Sequence, residues 1–73
     1  MGRVEMIRKP TAAELGAFIR RHRLARGMTQ GELGAMVGCS RCKMCDYEKG
    51  RHVPIGDTLL AIFKALRAPQ FTY

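Results

Sequence analysis

The middle of the sequence carries the signals of two short helices separated by a glycine turn. Thr29 followed by Glu32 has the spacing of a capping box, which begins a helix, and Gly38 suits the end of that helix. Ser40 is a good N-cap for the next helix, which runs through residue 49 and stops at Gly50. The pattern predicts two consecutive short helices joined by a tight turn.

Two longer helices are predicted on either side of this pair. Thr11 and Glu14 have the capping-box spacing and predict a helix over residues 12–26 that ends at Gly27. The last helix is predicted to be capped by Asp57 or Thr58 and to end before the proline at 69. Apolar residues at helical spacing predict the inner faces, with one histidine and one glutamate among them: Leu15, Phe18, Ile19, His22, Leu33, Met36, Val37, Met44, Tyr47, Glu48, Leu59, Leu60, Ile62, Phe63 and Leu66. The sequence therefore predicts an all-α domain of four helices over residues 11–68.

Both ends of the chain differ in character from this domain. Residues 1–10 are predicted to be a flexible basic arm, whose Arg3, Arg8 and Lys9 suit contacts along a DNA groove, although a disordered tail fits equally well. Residues 69–73 alternate polar and aromatic, which predicts a short β-strand or a tail. Phe71 and Tyr73 are then expected either to pair with a second copy of the chain or to complete the monomer core.

Composition restricts the class of protein. The chain has 73 residues, a formal net charge of +7 and 47% hydrophobic residues, which indicates one folded, basic domain. We expect no enzyme and no cofactor, because no catalytic constellation or phosphate-binding loop is present. No apolar run approaches the roughly 18 residues of a membrane span, and the first residues lack the apolar core of a secretory signal. The expected location is the bacterial cytoplasm, at the nucleoid, and the expected partner of a surface this basic is nucleic acid.

Two helices joined by a short glycine turn have the geometry of a helix-turn-helix, whose second helix presents its N-terminal residues to base edges in the major groove. The stretch from residue 15 to 66 resembles the Xre-type, phage-repressor-like helix-turn-helix family. The matching positions are Leu15, Ile19, Arg20, Arg23, Gly27, Thr29, Gln30, Leu33, Gly38, Ser40, Met44, Tyr47, Glu48, Gly50, Pro54, Leu59, Ile62 and Leu66. The sequence departs from the family at Gly34, where alanine is usual, and it lacks the fifth helix common in phage repressors.

The resemblance implies the roles of individual residues. It places Arg41, Cys42, Lys43 and Asp46 at base-contacting positions, and the Arg41 guanidinium matches the O6 and N7 acceptors of guanine. It implies phosphate contacts from a second set, with Gln30 as the clamp at the start of its helix: Thr29, Gln30, Ser40, Lys49 and Arg51. It also implies a structural ion pair between Arg23 and Glu48. An acid such as Asp46 is unfavourable near phosphates unless it pairs with an arginine or a lysine.

The resemblance further implies a sequence-specific transcriptional regulator, a homodimeric repressor that binds a palindromic operator in double-stranded DNA. The apolar last helix followed by a short alternating segment is similar to the HipB-type antitoxins, whose C-terminal strands pair across the dimer. That similarity implies an autorepressor that also binds a HipA-like kinase toxin. A restriction-modification controller protein and a phage-type repressor are the alternatives.

Three cysteines are spaced Cys-x-x-Cys-x-x-Cys at Cys39, Cys42 and Cys45. Their odd number and close spacing argue against a disulfide framework in a reducing compartment. A metal site is not favoured, because two of the three would lie on one helix and one of them would face DNA. A regulator that responds to metal or to thiol oxidation is a further alternative, in which Cys42, between two basic residues, is the most reactive thiol.

Overall fold

The computed structural model describes residues 10–67, and the helices there follow the predicted order. They are α1 (Ala12–Ala25), α2 (Gln30–Val37), α3 (Arg41–Glu48) and α4 (Gly56–Leu66). No strand occurs within residues 10–67, so the all-α prediction is confirmed for this part of the chain. The predicted basic arm, apart from Pro10, and the predicted C-terminal strand with Phe71 and Tyr73 lie outside the described residues.

Local hydrogen bonds explain why α1, α2 and α3 begin where they do. The Thr11 hydroxyl accepts the Glu14 N–H at 3.1 Å, and the Thr11 N–H donates to the Glu14 carboxylate at 2.8 Å. Thr29 and Glu32 form the same box at 3.0 and 2.8 Å. The Ser40 hydroxyl accepts the backbone N–H of Lys43, the third residue of α3, at 3.0 Å. The three predicted N-caps are confirmed.

The predicted start of α4 is wrong. The N-cap is Ile55, which has no side-chain capping bond, and neither Asp57 nor Thr58 takes that place. Pro54, which precedes the N-cap, is fully buried. Asp57 instead lies in the first turn, where a negative charge is favourable near the positive end of the helix dipole.

The core collects one apolar stripe from each helix. Its fully or almost fully buried members are Leu15, Ile19, Leu33, Met44, Tyr47, Ile62, Phe63 and Leu66. Two predicted core residues are on the surface instead, since Met36 is 61% exposed and Leu60 is 44% exposed. The buried stripe of α4 contains Ile62, Phe63 and Leu66, and Leu60 lies outside it. In α2 the buried side carries Leu33 and Gly34, and Met36 lies outside that side.

Two glycines let the helices approach each other closely. A Cβ atom on Gly16 of α1 would lie 2.6 Å from the Glu48 carbonyl oxygen of α3, and it would also overlap the Tyr47 carbonyl oxygen. A Cβ atom on Gly34 of α2 would lie 2.6 Å from the Cys39 carbonyl oxygen. The absence of side chains at these two positions lets α1 approach the C-terminal end of α3 and lets α2 approach the turn that leads into α3.

None of the helices described between residues 10 and 67 is long and apolar enough to cross a membrane.

Candidate nucleic-acid interface

The outer face of α3 is the first part of the candidate interface. Met44, Tyr47 and Glu48 point inward and are buried, and the remaining residues of the helix face outward or to its flanks. A depression of about 390 Å³ on this face is lined by five side chains: Gln30, Arg41, Cys42, Cys45 and Asp46. The structure thus brings together three of the four predicted base-contacting residues.

Cys45 was not among the predicted base-contacting residues. It is half-buried and lies one helical turn after Arg41, on the side of α3 that borders α2. The spacing of four residues from Arg41 was the signal in the sequence, because side chains at i and i+4 lie on the same helix face.

Lys43 lies apart from the other predicted base-contacting residues. It is exposed and does not line the depression. Its ammonium group lies 5.9 Å from the centre of the Tyr47 ring, at the flank of α3.

Asp46 is paired with an arginine and also lies near a histidine. Its carboxylate lies 3.7 Å from the Arg51 guanidinium and 3.9 Å from the His52 ring nitrogen. The Arg51 N–H also donates to the Asp46 carbonyl oxygen at 2.9 Å. Because Arg51 and His52 are 66% and 57% exposed, these ion pairs add little to stability. They hold the Arg51 guanidinium and the His52 ring beside the outer face of α3.

The remaining predicted phosphate-contacting residues border this face. Thr29 and Ser40 act as N-caps, so their hydroxyl oxygens accept backbone N–H groups and their hydroxyl protons are still able to donate. Gln30 is the first residue of α2, and Lys49 is exposed at the C-terminal end of α3. Thr29, Gln30 and Ser40 thus lie at the N-terminal ends of α2 and α3, and Lys49 lies at the C-terminal end of α3.

A buried ion pair lies directly beneath the start of α2. Arg23 of α1 donates from Nε to Glu48 Oε2 at 2.6 Å and from Nη2 to Glu48 Oε1 at 3.0 Å. The hydrogen bond to Glu48 raises the pKa of Arg23 above its ordinary value. Arg23 Nη1 also donates to the Met28 carbonyl oxygen at 2.7 Å, and Gln30 Nε2 donates to Glu48 Oε1 at 3.1 Å. The pair therefore contacts the chain on both sides of the N-cap of α2.

The cysteines are free thiols, with Cys42 exposed and Cys39 and Cys45 half-buried. Between residues 10 and 67, no three His, Cys, Asp or Glu side chains are close enough to hold a metal ion together. The regular spacing of the cysteines in sequence therefore produces no cluster of metal ligands in this part of the chain.

The arrangement of α2 and α3 around the turn at Gly38 defines a helix-turn-helix protein. The chain belongs to the helix-turn-helix domain family, whose model matches residues 14–70. A solved structure, that of the P22 c2 repressor in complex with a synthetic operator, is similar to it at 33% sequence identity and a TM-score of 0.73. The match covers 84% of this chain and 88% of the repressor chain. The comparison with curated proteins gave no significant match.

Proposed function

We propose that this protein is a transcriptional regulator, a repressor that recognises a specific sequence in double-stranded DNA with the outer face of α3. The observation that carries the proposal is the depression on α3, where Arg41, Cys42 and Asp46 lie together beside Gln30. Membership in the helix-turn-helix family, the similarity to a repressor bound to operator and the net charge of +7 support it.

The chemistry of the side chains divides the interface into two roles. In the proposed complex α3 enters the major groove with its N-terminal end, where Arg41 donates to guanine O6 and N7. Asp46 accepts from a cytosine amino group, and Cys42 contacts a neighbouring base edge. The proposed phosphate contacts fix the orientation of the helix without reading sequence: Thr29, Gln30, Ser40, Lys43, Lys49 and Arg51.

The proposed assembly is a homodimer on a palindromic operator. One copy of α3 reads few base pairs, so that two copies are needed for specificity, with half-sites about one helical turn apart. Phe71 and Tyr73 are the proposed dimer contacts. The antitoxin role, with a HipA-like kinase as partner, depends on these same residues and stays a prediction. The similarity to the P22 c2 repressor favours the repressor role that both interpretations share.

Selection from a library of random duplexes tests the proposal without knowledge of the operator. The full chain is incubated with the library in reducing buffer, and the bound duplexes are sequenced over several rounds. We expect enrichment of a two-fold symmetric sequence whose half-sites lie about 10 base pairs apart. A library that stays random after selection would contradict sequence-specific recognition.

A further inference from the structure

The side chain of Gln30 is attached to the buried ion pair. Gln30 Nε2 donates to Glu48 Oε1 at 3.1 Å, and within residues 10–67 this is the hydrogen bond that the amide group forms. Gln30 also lines both the depression on α3 and a wider one of about 720 Å³ at the start of α2. One end of its amide group is therefore anchored inside the protein, and the rest faces the proposed DNA surface.

Glu48 can act as an anchor because its own charge is compensated. Its side chain is 2% exposed and accepts two hydrogen bonds from Arg23 in addition to the one from Gln30. Paired in this way, the carboxylate does not present an isolated negative charge to a phosphate. The Arg23 bond to the Met28 carbonyl oxygen, at 2.7 Å, holds the backbone that leads into α2 in the same network.

The anchor determines which end of the Gln30 amide is fixed. An ionised carboxylate only accepts hydrogen bonds, so it selects the NH2 end of the amide over the carbonyl oxygen. The second N–H of the same nitrogen is then left to donate to a DNA phosphate. A freely rotating glutamine would turn its carbonyl oxygen toward the same phosphate in part of the population, and that contact is repulsive.

We infer that Glu48 is a positioning residue for DNA binding, one that orients the Gln30 amide toward a phosphate while Arg23 compensates its charge. This inference rests on the proposed function of the α3 face and on Gln30 as one of its phosphate contacts. It assigns to the buried pair a role in affinity beyond its role in holding α1 to α3. Its consequence is that the contributions of Glu48 and Gln30 to affinity are coupled.

A double-mutant cycle measured by fluorescence anisotropy tests the coupling. Its four proteins are the wild type, Gln30→Met, the pair variant Arg23→Met with Glu48→Met, and their combination. The pair variant removes one cation and one anion, so net charge is unchanged, and buried ion pairs replaced by apolar side chains commonly preserve the fold. We expect the pair variant to bind the selected duplex about three- to tenfold more weakly than the wild type does. We expect the combined variant to bind that duplex less than about twofold more weakly than Gln30→Met alone. Losses that simply multiply would overturn the inference.

A second test uses a variant for which charge and positioning predict opposite changes in DNA affinity. Glu48→Gln removes a negative charge, which by electrostatics alone strengthens binding to DNA. Its amide both donates and accepts, so it no longer selects the NH2 end of the Gln30 amide, and that loss weakens binding. Glu32→Gln is the matched control, because it removes an acid from α2 that does not contact Gln30. We expect Glu48→Gln to weaken binding to selected and scrambled duplexes by the same factor and Glu32→Gln not to weaken it. Stronger binding by both variants would contradict the positioning role.

Nuclear magnetic resonance of the Gln30 side-chain amide tests the anchor in the free protein. We expect the two N–H signals to be shifted and protected from exchange in the wild type, and to move to the values of an exposed glutamine in the pair variant. Identical signals in both proteins would overturn the inference. If the amide is anchored but the wild type binds selected and scrambled duplexes equally, the proposed function fails instead. If the wild type is specific and Gln30→Met binds as tightly, the inference fails alone.

Discussion

Arg41 is the residue on which the proposed sequence recognition depends most. It is exposed at the first position of α3 and lines the depression next to Cys42 and Asp46. We predict that Arg41→Ala weakens binding to the selected operator by about 1–3 kcal/mol and relaxes the preference at one base pair per half-site. Dissociation constants for duplexes that carry each base pair at each position measure both effects.

Two lysines give the controls for that experiment. Lys49→Ala is expected to weaken binding to all duplexes about equally, since a phosphate contact carries no sequence information. Lys64→Ala removes the same charge from α4, which packs against α1 and α2, and is expected to change affinity least. If Arg41→Ala weakened every duplex to the same extent, Arg41 would be a phosphate contact and the base assignment would be wrong.

Arg23 is predicted to be the charged residue whose loss destabilises the domain most. Arg23→Met leaves the buried Glu48 carboxylate without its cation, and breaking such a pair lowers the free energy of unfolding by about 3–5 kcal/mol. Arg20→Met, at an exposed position of the same helix, is expected to change it by less than about 0.5 kcal/mol. Urea unfolding at neutral pH compares the two variants, and equal losses would show that the pair is not a major stabilising contact.

The buried phenol of Tyr47 allows a prediction of how the free energy of unfolding changes at alkaline pH. Burial raises the pKa of its phenol above the ordinary value, and the neighbouring Cys39 thiol adds to the shift. A group with a raised folded-state pKa contributes stability that is fully present below its unfolded value, about 10, and is lost as the pH rises through the folded-state pKa. We expect the free energy of unfolding to fall above about pH 10 and to fall less steeply in Tyr47→Phe. Parallel pH profiles for the two proteins would contradict this.

Helix α2 contains two glycines whose replacement by alanine is expected to change the stability of the protein in opposite directions. A Cβ atom on Gly31 would meet the Thr29 hydroxyl oxygen at an ordinary contact distance of 3.9 Å, so Gly31→Ala is expected to stabilise the protein by about 0.5–1 kcal/mol through helix propensity. A Cβ on Gly34 would meet the Cys39 carbonyl oxygen at 2.6 Å, so Gly34→Ala forces α2 away from the turn and destabilises. Thermal unfolding of both variants beside the wild type is the measurement, and changes of the same sign would contradict the packing described for α2.

Helix starts were predictable from the sequence where local hydrogen bonds determine them. The boxes of Thr11 with Glu14 and of Thr29 with Glu32 involve residues three positions apart, so their spacing alone identifies them. The start of α4 was not predictable in this way, because an acidic residue such as Asp57 suits an N-cap and a first turn equally well. The N-cap is Ile55, whose side chain makes no capping hydrogen bond and therefore leaves no signal in the sequence.

Contacts between distant elements left weaker signals or none. Gln30 and Glu48 are 18 residues apart. The sequence analysis explained Gln30 as a phosphate contact and Glu48 as the partner of Arg23, so no feature of the sequence predicted a hydrogen bond between them. The close approach of Gly16 to the end of α3 is likewise visible only once α1 and α3 are packed together. The resemblance to the Xre-type family implied Arg41, Cys42, Lys43 and Asp46 as base-contacting residues, whereas helix periodicity alone indicates only which side chains share a face. Lys43 lies four residues before Tyr47, so its ammonium group lies near the Tyr47 ring and apart from the depression that the other three residues line.

For the molecule as a whole, packing and charge point to one DNA-binding side. The core draws α1, α2 and α4 together and leaves the outer face of α3 open, while the net charge of +7 favours contact with a polyanion. Charge alone would bind any duplex, and the proposed base contacts would distinguish one sequence from another. Recognition of one DNA sequence therefore depends on the proposed base contacts of α3.

Sequence recognition by α3 is tested by comparing the dissociation constants of the selected duplex and of a scrambled duplex of equal length and composition. Both are measured by anisotropy with the full chain in reducing buffer at two salt concentrations. We predict that the selected duplex binds at least about 10³-fold more tightly and that both affinities fall as salt rises. Equal dissociation constants for the two duplexes would contradict sequence recognition by α3 and leave a basic domain that binds DNA through its charge alone.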